Sequence, residues 1–248
     1  MRYLRAAFRF VIFVIITFGI YGVWLVSSIF IPNKQYWRQL VFQTWARAFA
    51  RLSGMSIEVI GTPPKPPFFL VSNHLSYMDI AVLRAVVPGI FVAKAEIRKW
   101  FLAGKIVENM GNIFIDRGNR RDIPRAGELI IEKLDAGEGV IVFPEGTSSK
   151  GEEVLPFNSS FLQFAAKTDL PVSYVAISYR TPESEDPASK MVCWWDDISF
   201  VAHLIRQFSV KRSTAILNFG DQPIRNPDRK ELAKQLHDRI NERFIPVL

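Results

Sequence analysis

Short apolar runs alternate with longer helical patterns from residue 68 to the end of the chain. The predicted strands lie at 68–72, 90–93, 112–115, 139–143, 172–179 and 213–219. The predicted helices lie at 78–87, 97–109, 122–135, 159–168, 197–208 and 228–244. Continuous apolar runs such as 140–143 lack a polar face, which is typical of strands covered on both sides. The alternation therefore predicts an α/β fold with a largely parallel sheet flanked by helices.

A stretch without charged side chains, Phe10 to Ile31, precedes this region. As a helix it would be about 33 Å long, which is enough to cross a bilayer. A signal peptide fits less well, because its apolar region is shorter and no small-x-small cleavage site follows here. A buried helix of a soluble protein is the other alternative. We expect a membrane-associated segment.

Residues 36–52 carry apolar side chains in steps of three and four, which predicts an amphipathic helix. Its apolar positions include Trp37, Leu40, Val41, Trp45, Ala48, Phe49 and Leu52. Arg38, Arg47 and Arg51 occupy much of the other surface. Aromatic residues on one side and arginines on the other are typical of a helix at a membrane interface. A helix packed on a soluble domain explains the pattern equally well.

The formal net charge of +7 comes entirely from residues 1–57, which contain seven basic residues and no acidic ones. The other residues contain 24 basic and 24 acidic side chains, which cancel (31 minus 7 basic, against 24 acidic). A basic region can bind nucleic acid. Here the charge flanks the most apolar part of the chain, so anionic membrane lipids are the expected partner and nucleic acid is not.

The topology of the N-terminal segment has two solutions. A single span would separate Arg2, Arg5 and Arg9 from the rest of the protein, whereas the positive-inside tendency keeps them in the cytoplasm. A membrane protein whose following domain is cytoplasmic then requires a helical hairpin that enters and leaves on one side, and we favour the hairpin over the span. The proline-rich segment 62–67 excludes helix and central strand. It divides the sequence into a membrane-associated segment, 1–61, and an α/β domain, 62–248.

Asn73 and His74 directly follow the predicted strand 68–72, and Asp79 comes five residues after the histidine. Five residues of α-helix turn through about 500°, which leaves the two side chains roughly 140° apart. They can meet only if His74 lies in the turn and Asp79 in the first turn of the next helix. The carboxylate would then fix the imidazole tautomer and stabilise its protonated form. A loop histidine near a helix-starting aspartate, without catalytic function, is the alternative that spacing alone leaves open.

Two further blocks place polar residues after short apolar strands, Ile113-Phe-Ile-Asp116-Arg117 and Phe143-Pro-Glu145-Gly146-Thr147. With Asn73-His74-x4-Asp79 they resemble, in order and approximate spacing, the glycerolipid acyltransferases typified by lysophosphatidic acid acyltransferase. A looser fourth block lies at 170–177. The resemblance covers about residues 65–180.

This resemblance implies an enzyme that moves a fatty acyl group from acyl-CoA or acyl-carrier protein to the free hydroxyl of a lysolipid. The first expected acceptor is 1-acyl-sn-glycerol-3-phosphate, which would give phosphatidic acid. His74 would be the general base and Asp79 would orient it. No metal or cofactor is implied. A non-catalytic lipid-binding membrane protein and a metal-dependent hydrolase are the alternatives.

The resemblance also implies the acceptor-binding residues. Arg117 would hold an anionic head group through its permanently charged guanidinium. Glu145 would contact an acceptor hydroxyl or Arg117, because a carboxylate does not attract phosphate. Gly146 permits close approach of the backbone, and Thr147 belongs to the same block. Lys94, after the predicted strand 90–93, would add positive charge.

The sequence departs from the family at two positions. After Thr147 the family commonly has Arg-Ser, whereas this chain has Ser148-Ser149-Lys150. After a Pro-Phe pair it commonly has a basic residue, whereas this chain has Asn158. Two positive contacts to a phosphate monoester are therefore missing, although Lys150 could replace one. Lyso-ornithine lipid or another lysophospholipid thus becomes the alternative acceptor.

The remaining candidates for chemistry are few. The lone Cys193, between Val192 and Trp194, is expected to be a packed residue, and one cysteine excludes an intrachain disulfide. His203 and His237 lie in predicted amphipathic helices and are expected at the surface. With three histidines and one cysteine, a catalytic zinc site is not expected. The chain has no G-x-S-x-G motif, the usual sign of a serine nucleophile in an α/β hydrolase.

Overall fold

A computed structural model describes residues 2–116 and 122–247. Within these residues, seven strands form one sheet in the order β1-β7-β6-β2-β5-β3-β4. The strands are β1 (Met55–Ile60), β2 (Phe68–Ser72), β3 (Gly89–Lys94), β4 (Ile113–Ile115), β5 (Gly139–Val142), β6 (Val172–Arg180) and β7 (Ser213–Phe219). All neighbouring strands are parallel except β6 and β7, which are antiparallel. The predicted α/β class with a largely parallel sheet is confirmed.

Helices cover both faces of this sheet. They are α1 (Arg2–Ser27), α2 (Lys34–Leu52), α3 (Met78–Val86), α4 (Ala103–Asn109), α5 (Asp122–Asp135), α6 (Gln163–Lys167), α7 (Ala188–Met191), α8 (Phe200–Ser209) and α9 (Arg229–Asn241). Residues of α1, α2, α3 and α8 share one apolar core with the sheet, and residues of α5, α6 and α9 share the other. All five residues of β2 are buried, as expected for a central strand covered on both faces.

Three local predictions need correction. Strand β1 was not predicted. Among the described residues it pairs only with β7, at the edge of the sheet, so its second half is mostly exposed and lacks a continuous apolar run. The predicted helix 97–109 is divided into a 3₁₀ turn, Ala95–Lys99, and α4, because Leu102 between them has a positive φ of 55°. The predicted helix 159–168 is a 3₁₀ turn, Ser159–Leu162, followed by α6.

The two N-terminal helices form a hairpin. The indole of Trp45 donates to Thr17 Oγ1 at 3.0 Å, and that of Trp37 donates to Ser27 Oγ at 2.8 Å. Phe13 of α1 packs on Phe49 of α2 with ring centroids 4.8 Å apart. Helix α1 is long and apolar enough to cross a membrane by length and composition. The division of the chain at residue 61 stays a prediction, and β1 shows that the segment before it also contributes a strand to the sheet.

The arginines at the start of α1 contact the α/β region. The guanidinium of Arg2 pairs with Asp186 at 2.9 Å and donates to Ser209 Oγ at 2.9 Å. Arg5 donates to the carbonyl of Ser209, and Arg9 donates to the carbonyl of Phe208 at 3.1 Å. These contacts place the start of α1 on the same side as the sheet. How the hairpin lies relative to a membrane stays a prediction.

Candidate active site

Asn73 fixes the point at which the chain leaves the sheet. Its side chain is fully buried and forms two hydrogen bonds with one residue of β6. Asn73 Nδ2 donates to the carbonyl of Ile177 at 2.9 Å, and the Ile177 amide donates to Asn73 Oδ1 at 2.7 Å. The carboxamide thus continues the ladder in which Ser72 pairs with Val175. As a result, the loop that carries His74 starts at a fixed position beside β6.

His74 and Asp79 meet in the geometry that their spacing predicts. His74 lies in the loop after β2, and Asp79 is the second residue of α3. The Nδ1 atom of His74 lies 2.7 Å from Asp79 Oδ2. The amides of Leu75 and Ser76 donate to the same oxygen at 2.7 and 3.0 Å. The carboxylate therefore closes the turn that carries the histidine.

Tyr179 completes the coordination of Asp79 and was not predicted. Its hydroxyl donates to Asp79 Oδ1 at 2.6 Å, and both side chains are at most 1% exposed. Burial, together with the charge of Asp79 and the hydrogen bond to it, raises the pKa of Tyr179 well above its usual range. The hydroxyl stays protonated and donates, so the second carboxylate oxygen is also satisfied.

These contacts assign the tautomer of His74. Because Asp79 Oδ2 accepts the hydrogen bond, Nδ1 carries the proton and Nε2 is left as the acceptor. The ring also stacks on Phe143, with centroids 4.3 Å apart and planes inclined by 17°. About 22% of the His74 side chain is exposed, whereas Asp79 is fully buried. Asp79 thus holds one edge of the imidazole and Phe143 covers one face, while part of the ring stays accessible to solvent.

Glu145 lies against the backbone of the same loop. The His74 amide donates to Glu145 Oε1 at 3.2 Å. The other oxygen, Oε2, is buried and has no hydrogen-bond partner among residues 2–116 and 122–247. Burial raises the pKa of Glu145 to about 9, and the charge of Asp79 adds to this, although amide hydrogen bonds from His74 and Leu155 oppose it. At neutral pH the carboxyl is protonated, so Oε2 can donate a hydrogen bond.

The other predicted site residues are Gly146, Thr147, Lys94 and Arg117. Gly146 has a φ of +78°, and its amide donates to the Phe143 carbonyl at 3.2 Å, so glycine is required for this turn. Thr147 follows it and is exposed. Lys94 is exposed at the end of β3, which β5 separates from β2. Arg117 lies outside the described residues. The roles of all four stay predictions.

The prediction that His203 lies at the surface is wrong. Its side chain is fully buried; Nε2 donates to the Cys193 carbonyl at 2.9 Å, and Nδ1 accepts from the Tyr77 hydroxyl at 3.0 Å. Burial lowers the pKa of His203 to about 4, so the ring is neutral. Helix α8 is amphipathic as predicted, but the histidine lies on its inner face. Cys193 is buried, and the half-exposed His237 donates to the Val154 carbonyl at 3.1 Å.

Within the described part of the chain, no group of three or more histidine, cysteine, aspartate or glutamate side chains could hold a metal ion. The independence of the reaction from metals stays a prediction. The arrangement described above has the geometry that a general base requires. A histidine with a free Nε2, held by a buried carboxylate at the carboxyl edge of a parallel sheet, can take a proton from a hydroxyl group.

A site of this kind can activate a hydroxyl nucleophile, which is a chemistry that enzymes use. The sequence profile of the Acyltransferase family matches residues 56–178, which include β2, the His74–Asp79 loop and Glu145. The chain belongs to the acyltransferase family, and the enzyme is an acyltransferase.

Comparisons over most of the chain agree with this assignment. The chain is 31% identical over 204 residues to the lyso-ornithine lipid O-acyltransferase of Pseudomonas aeruginosa, covering 82% of this chain and 78% of that protein. It is 33% identical over 196 residues to the 1-acyl-sn-glycerol-3-phosphate acyltransferase of Neisseria meningitidis, covering 78% and 75%. Its fold matches the crystal structure of the acyltransferase PlsC of Thermotoga maritima with a TM-score of 0.70, at 24% identity and covering 98% and 97% of the two chains.

We expect Tyr179→Phe to lower kcat roughly tenfold, with little change in KM. The variant removes one hydrogen-bond donor from the buried carboxylate of Asp79, and a hydrogen bond to a charged group contributes about 1.5–3 kcal/mol. Part of this loss weakens the orientation of His74 by Asp79 and therefore raises the activation free energy. Steady-state kinetics and thermal unfolding of the purified protein measure both effects.

Tyr174→Phe is the matched control, because Tyr174 lies on the same strand but in the core on the opposite face of the sheet. It is expected to leave kcat unchanged. Equal losses of kcat in the two variants would show that Tyr179 contributes only to packing.

Proposed function

We propose that this acyltransferase uses His74 as the general base to transfer a fatty acyl group from a thioester to the free hydroxyl of a lysolipid. The contact of 2.7 Å between His74 Nδ1 and Asp79 Oδ2 carries the proposal. It leaves Nε2 as the only ring atom able to accept a proton. Relatives named as lysolipid acyltransferases support the substrate class.

The reaction then follows from the tautomer. Nε2 of His74 accepts the proton of the acceptor hydroxyl while the hydroxyl oxygen attacks the thioester carbonyl carbon. The tetrahedral intermediate expels the thiolate, which receives the proton from His74, so that a free thiol and an ester leave. Asp79 remains ionised and stabilises the imidazolium between the two steps. General-base assistance contributes about 10²–10⁴-fold, and positioning of the two substrates adds to it.

Glu145 contributes as a neutral acid. Its Oε1 accepts from the His74 amide, so the buried Oε2 carries the proton and lacks a partner among the described residues. A neutral carboxyl can donate to an oxygen of the acceptor, including a phosphate oxygen, which an ionised carboxylate would repel. This modifies the expectation that Glu145 contacts only a hydroxyl or Arg117.

The first proposed acceptor is 1-acyl-sn-glycerol-3-phosphate, because the block ending in Arg117 is present and the Neisseria meningitidis relative carries that name. Lyso-ornithine lipid is the second. Ser148 donates to the Trp194 carbonyl, and Asn158 Oδ1 accepts from the Ser160 amide at 3.0 Å. Two positions where the family commonly has cations thus hold uncharged side chains with local structural contacts. The Pseudomonas aeruginosa relative is named for this second acceptor.

The donor is proposed to be acyl-CoA or acyl-carrier protein. Both present the fatty acid as a thioester on a phosphopantetheine arm.

The reaction proceeds without a metal or cofactor, and treatment with a chelator is expected to leave the rate unchanged.

Purified protein is expected to acylate 1-acyl-sn-glycerol-3-phosphate, and His74→Ala is expected to lose at least about 10²-fold in kcat for every accepted lysolipid, because the base is absent. The assay uses a panel with lyso-ornithine lipid and zwitterionic lysophospholipids, with each donor in turn.

His237→Ala is the control, since this half-exposed histidine contacts the Val154 carbonyl, its neighbour Asp238 and the ring of Phe157, away from the His74–Asp79 contact. It is expected to retain activity. Turnover by His74→Ala at the wild-type rate would refute the base assignment, and no turnover by the folded wild-type protein with any acceptor would refute the function. Preference for lyso-ornithine lipid would select the second acceptor.

Glu145→Gln is expected to keep KM for the acceptor within a few-fold of wild type, whereas Glu145→Ala is expected to raise it roughly tenfold or more. The carboxamide retains both a neutral donor and an acceptor for the His74 amide, whereas alanine retains neither. KM at pH 7 for the two variants provides the measurement. If Gln is as harmful as Ala, the ionised carboxylate is the working form.

Membrane association is proposed to use the outer face of the α1–α2 hairpin, with the α/β domain on the cytoplasmic side. Apolar side chains of α1 are exposed along its whole length, namely Tyr3, Leu4, Phe8, Val11, Ile15, Phe18, Val23, Leu25 and Val26. The arginines Arg2, Arg5 and Arg9 contact the C-terminal end of α8 instead. A helix with these two faces is suited to lie in one leaflet.

Val11→Lys combined with Ile15→Lys is expected to reduce binding to lipid vesicles at least tenfold, because charge in the acyl region is costly. Both residues are more than half exposed, at 55% and 60%, so the fold is retained. Sedimentation with vesicles measures the binding. Val59→Lys, on the exposed edge of β1, is the control, and unchanged binding in the double variant would exclude α1 as the contact.

A further inference from the structure

A cavity of about 770 Å³ lies beside the sheet at the junction of β1, β7 and β6. Its volume is in the range of small-molecule sites. Its polar lining includes Ser56, Thr214 and Arg180, and the basic side chains Arg51, Lys211 and Arg212 surround these. Neither His74 nor Glu145 lines it. The cavity is therefore separate from the pair His74 and Asp79, which we call the dyad.

The floor of the cavity is a row of three paired residues. Ser56 pairs with Thr214, and Thr214 pairs with Arg180, so the three side chains point to the same face of the sheet. The hydroxyls of Ser56 and Thr214 lie 3.0 Å apart. Their neighbours Met55 and Tyr179 are buried on the other face. This row combines hydroxyl groups with a guanidinium, which are groups that bind phosphate.

The four basic side chains of the cavity form no ion pair within the described part of the chain. No ion pair joins Arg51, Arg180, Lys211 or Arg212 to an acidic side chain of residues 2–116 or 122–247. Two carboxylates of the loop after β6 have other contacts. Asp186 pairs with Arg2, and Glu185 accepts from the Lys211 amide at 2.9 Å. Four cations from three chain segments thus surround one concave surface and create a positive field there.

The cavity lies at the same edge of the sheet as the dyad. Strands β2 and β6 run parallel, and Ser72 at the end of β2 pairs with Val175. Strand β6 continues for five residues beyond that pair to Arg180, about 17 Å. Tyr179, whose hydroxyl contacts Asp79, directly precedes Arg180, and the two side chains point to opposite faces of the sheet. A substrate that reaches both places must be extended, with its reacting group and its anionic end well separated.

We propose that this cavity binds the phosphate end of the acyl donor's phosphopantetheine carrier, while the thioester lies at His74. This inference depends on the proposed function, because it assigns one end of a substrate of that reaction. Acyl-CoA and acyl-carrier protein share the phosphate at the base of the pantetheine arm. The flexible arm separates this phosphate from the thioester, as the position of the cavity requires.

The test replaces two cations and measures binding without turnover. Arg180→Gln combined with Arg212→Gln is titrated with CoA and, separately, with holo-acyl-carrier protein by isothermal calorimetry in detergent. We expect affinity for at least one of them to fall tenfold or more, with a smaller difference at high salt. With the corresponding acyl donor, KM is expected to rise by a similar factor at constant kcat, because these residues do not contact the reacting atoms.

Lys230→Gln combined with Lys234→Gln is the matched control. It removes the same charge from the exposed face of α9 and is expected to change neither affinity nor KM. All four side chains are exposed, and equal melting temperatures establish that the variants are folded. Wild-type affinity of the Arg180/Arg212 variant for both carriers would overturn the proposal.

A lipid head group is the rival source of phosphate. Vesicles with and without phosphatidylglycerol test it, and both double variants are expected to bind them as the wild type does. A loss of vesicle binding confined to the Arg180/Arg212 variant, with CoA and carrier binding unchanged, would overturn the donor assignment. Cavity-dependent binding of a carrier without any acyl transfer would instead refute the proposed function, so the two failures are distinguishable.

Discussion

The buried carboxylate of Asp79 is the interaction on which the geometry of this site depends. A buried charge is tolerated only when hydrogen bonds replace its hydration. Asp79 has four such partners: the amides of Leu75 and Ser76, the hydroxyl of Tyr179, and Nδ1 of His74. The two amides define the turn after β2, the Tyr179 hydroxyl defines the distance from Asp79 to β6, and His74 is the proposed base. The same contacts therefore compensate the buried charge of Asp79 and hold His74 in the orientation that the proposed reaction needs.

The order of the strands explains why distant parts of the sequence meet here. Strand β2 lies between β5 and β6, and all three run parallel, so their carboxyl ends lie at one edge of the sheet. Strand β5 delivers Phe143 and Glu145 to one side of His74, and β6 delivers Ile177 and Tyr179 to the other. The central position of β2 thus gives the histidine loop two rigid neighbours. Loops at an edge strand such as β1 would have only one.

Features that depend on local spacing could be predicted from the sequence, and features that depend on register could not. The contact of His74 with Asp79 requires only a turn followed by a helix, and the apolar runs define the central strands. Tyr179 reaches Asp79 only because β6 extends five residues beyond its pairing with β2, which no local pattern reveals. His203 was misplaced for a similar reason. Amphipathicity predicts that α8 has an inner face but does not say that a histidine on it finds the Tyr77 hydroxyl and the Cys193 carbonyl.

The charge state of Glu145 follows from its position beside Asp79. If both carboxyl groups were ionised, the site would hold two negative charges in a largely buried space, and the charge of Asp79 is one cause of the raised pKa of Glu145. With Glu145 neutral, one negative charge remains to balance the one positive charge that the proposed mechanism creates on His74. The hydrogen bond from the His74 amide to Glu145 Oε1 then links the proposed acceptor-binding group to the proposed base. An acceptor that engages Glu145 Oε2 would therefore be positioned relative to His74 through a single side chain, which is the preorganisation that a direct attack on a thioester requires.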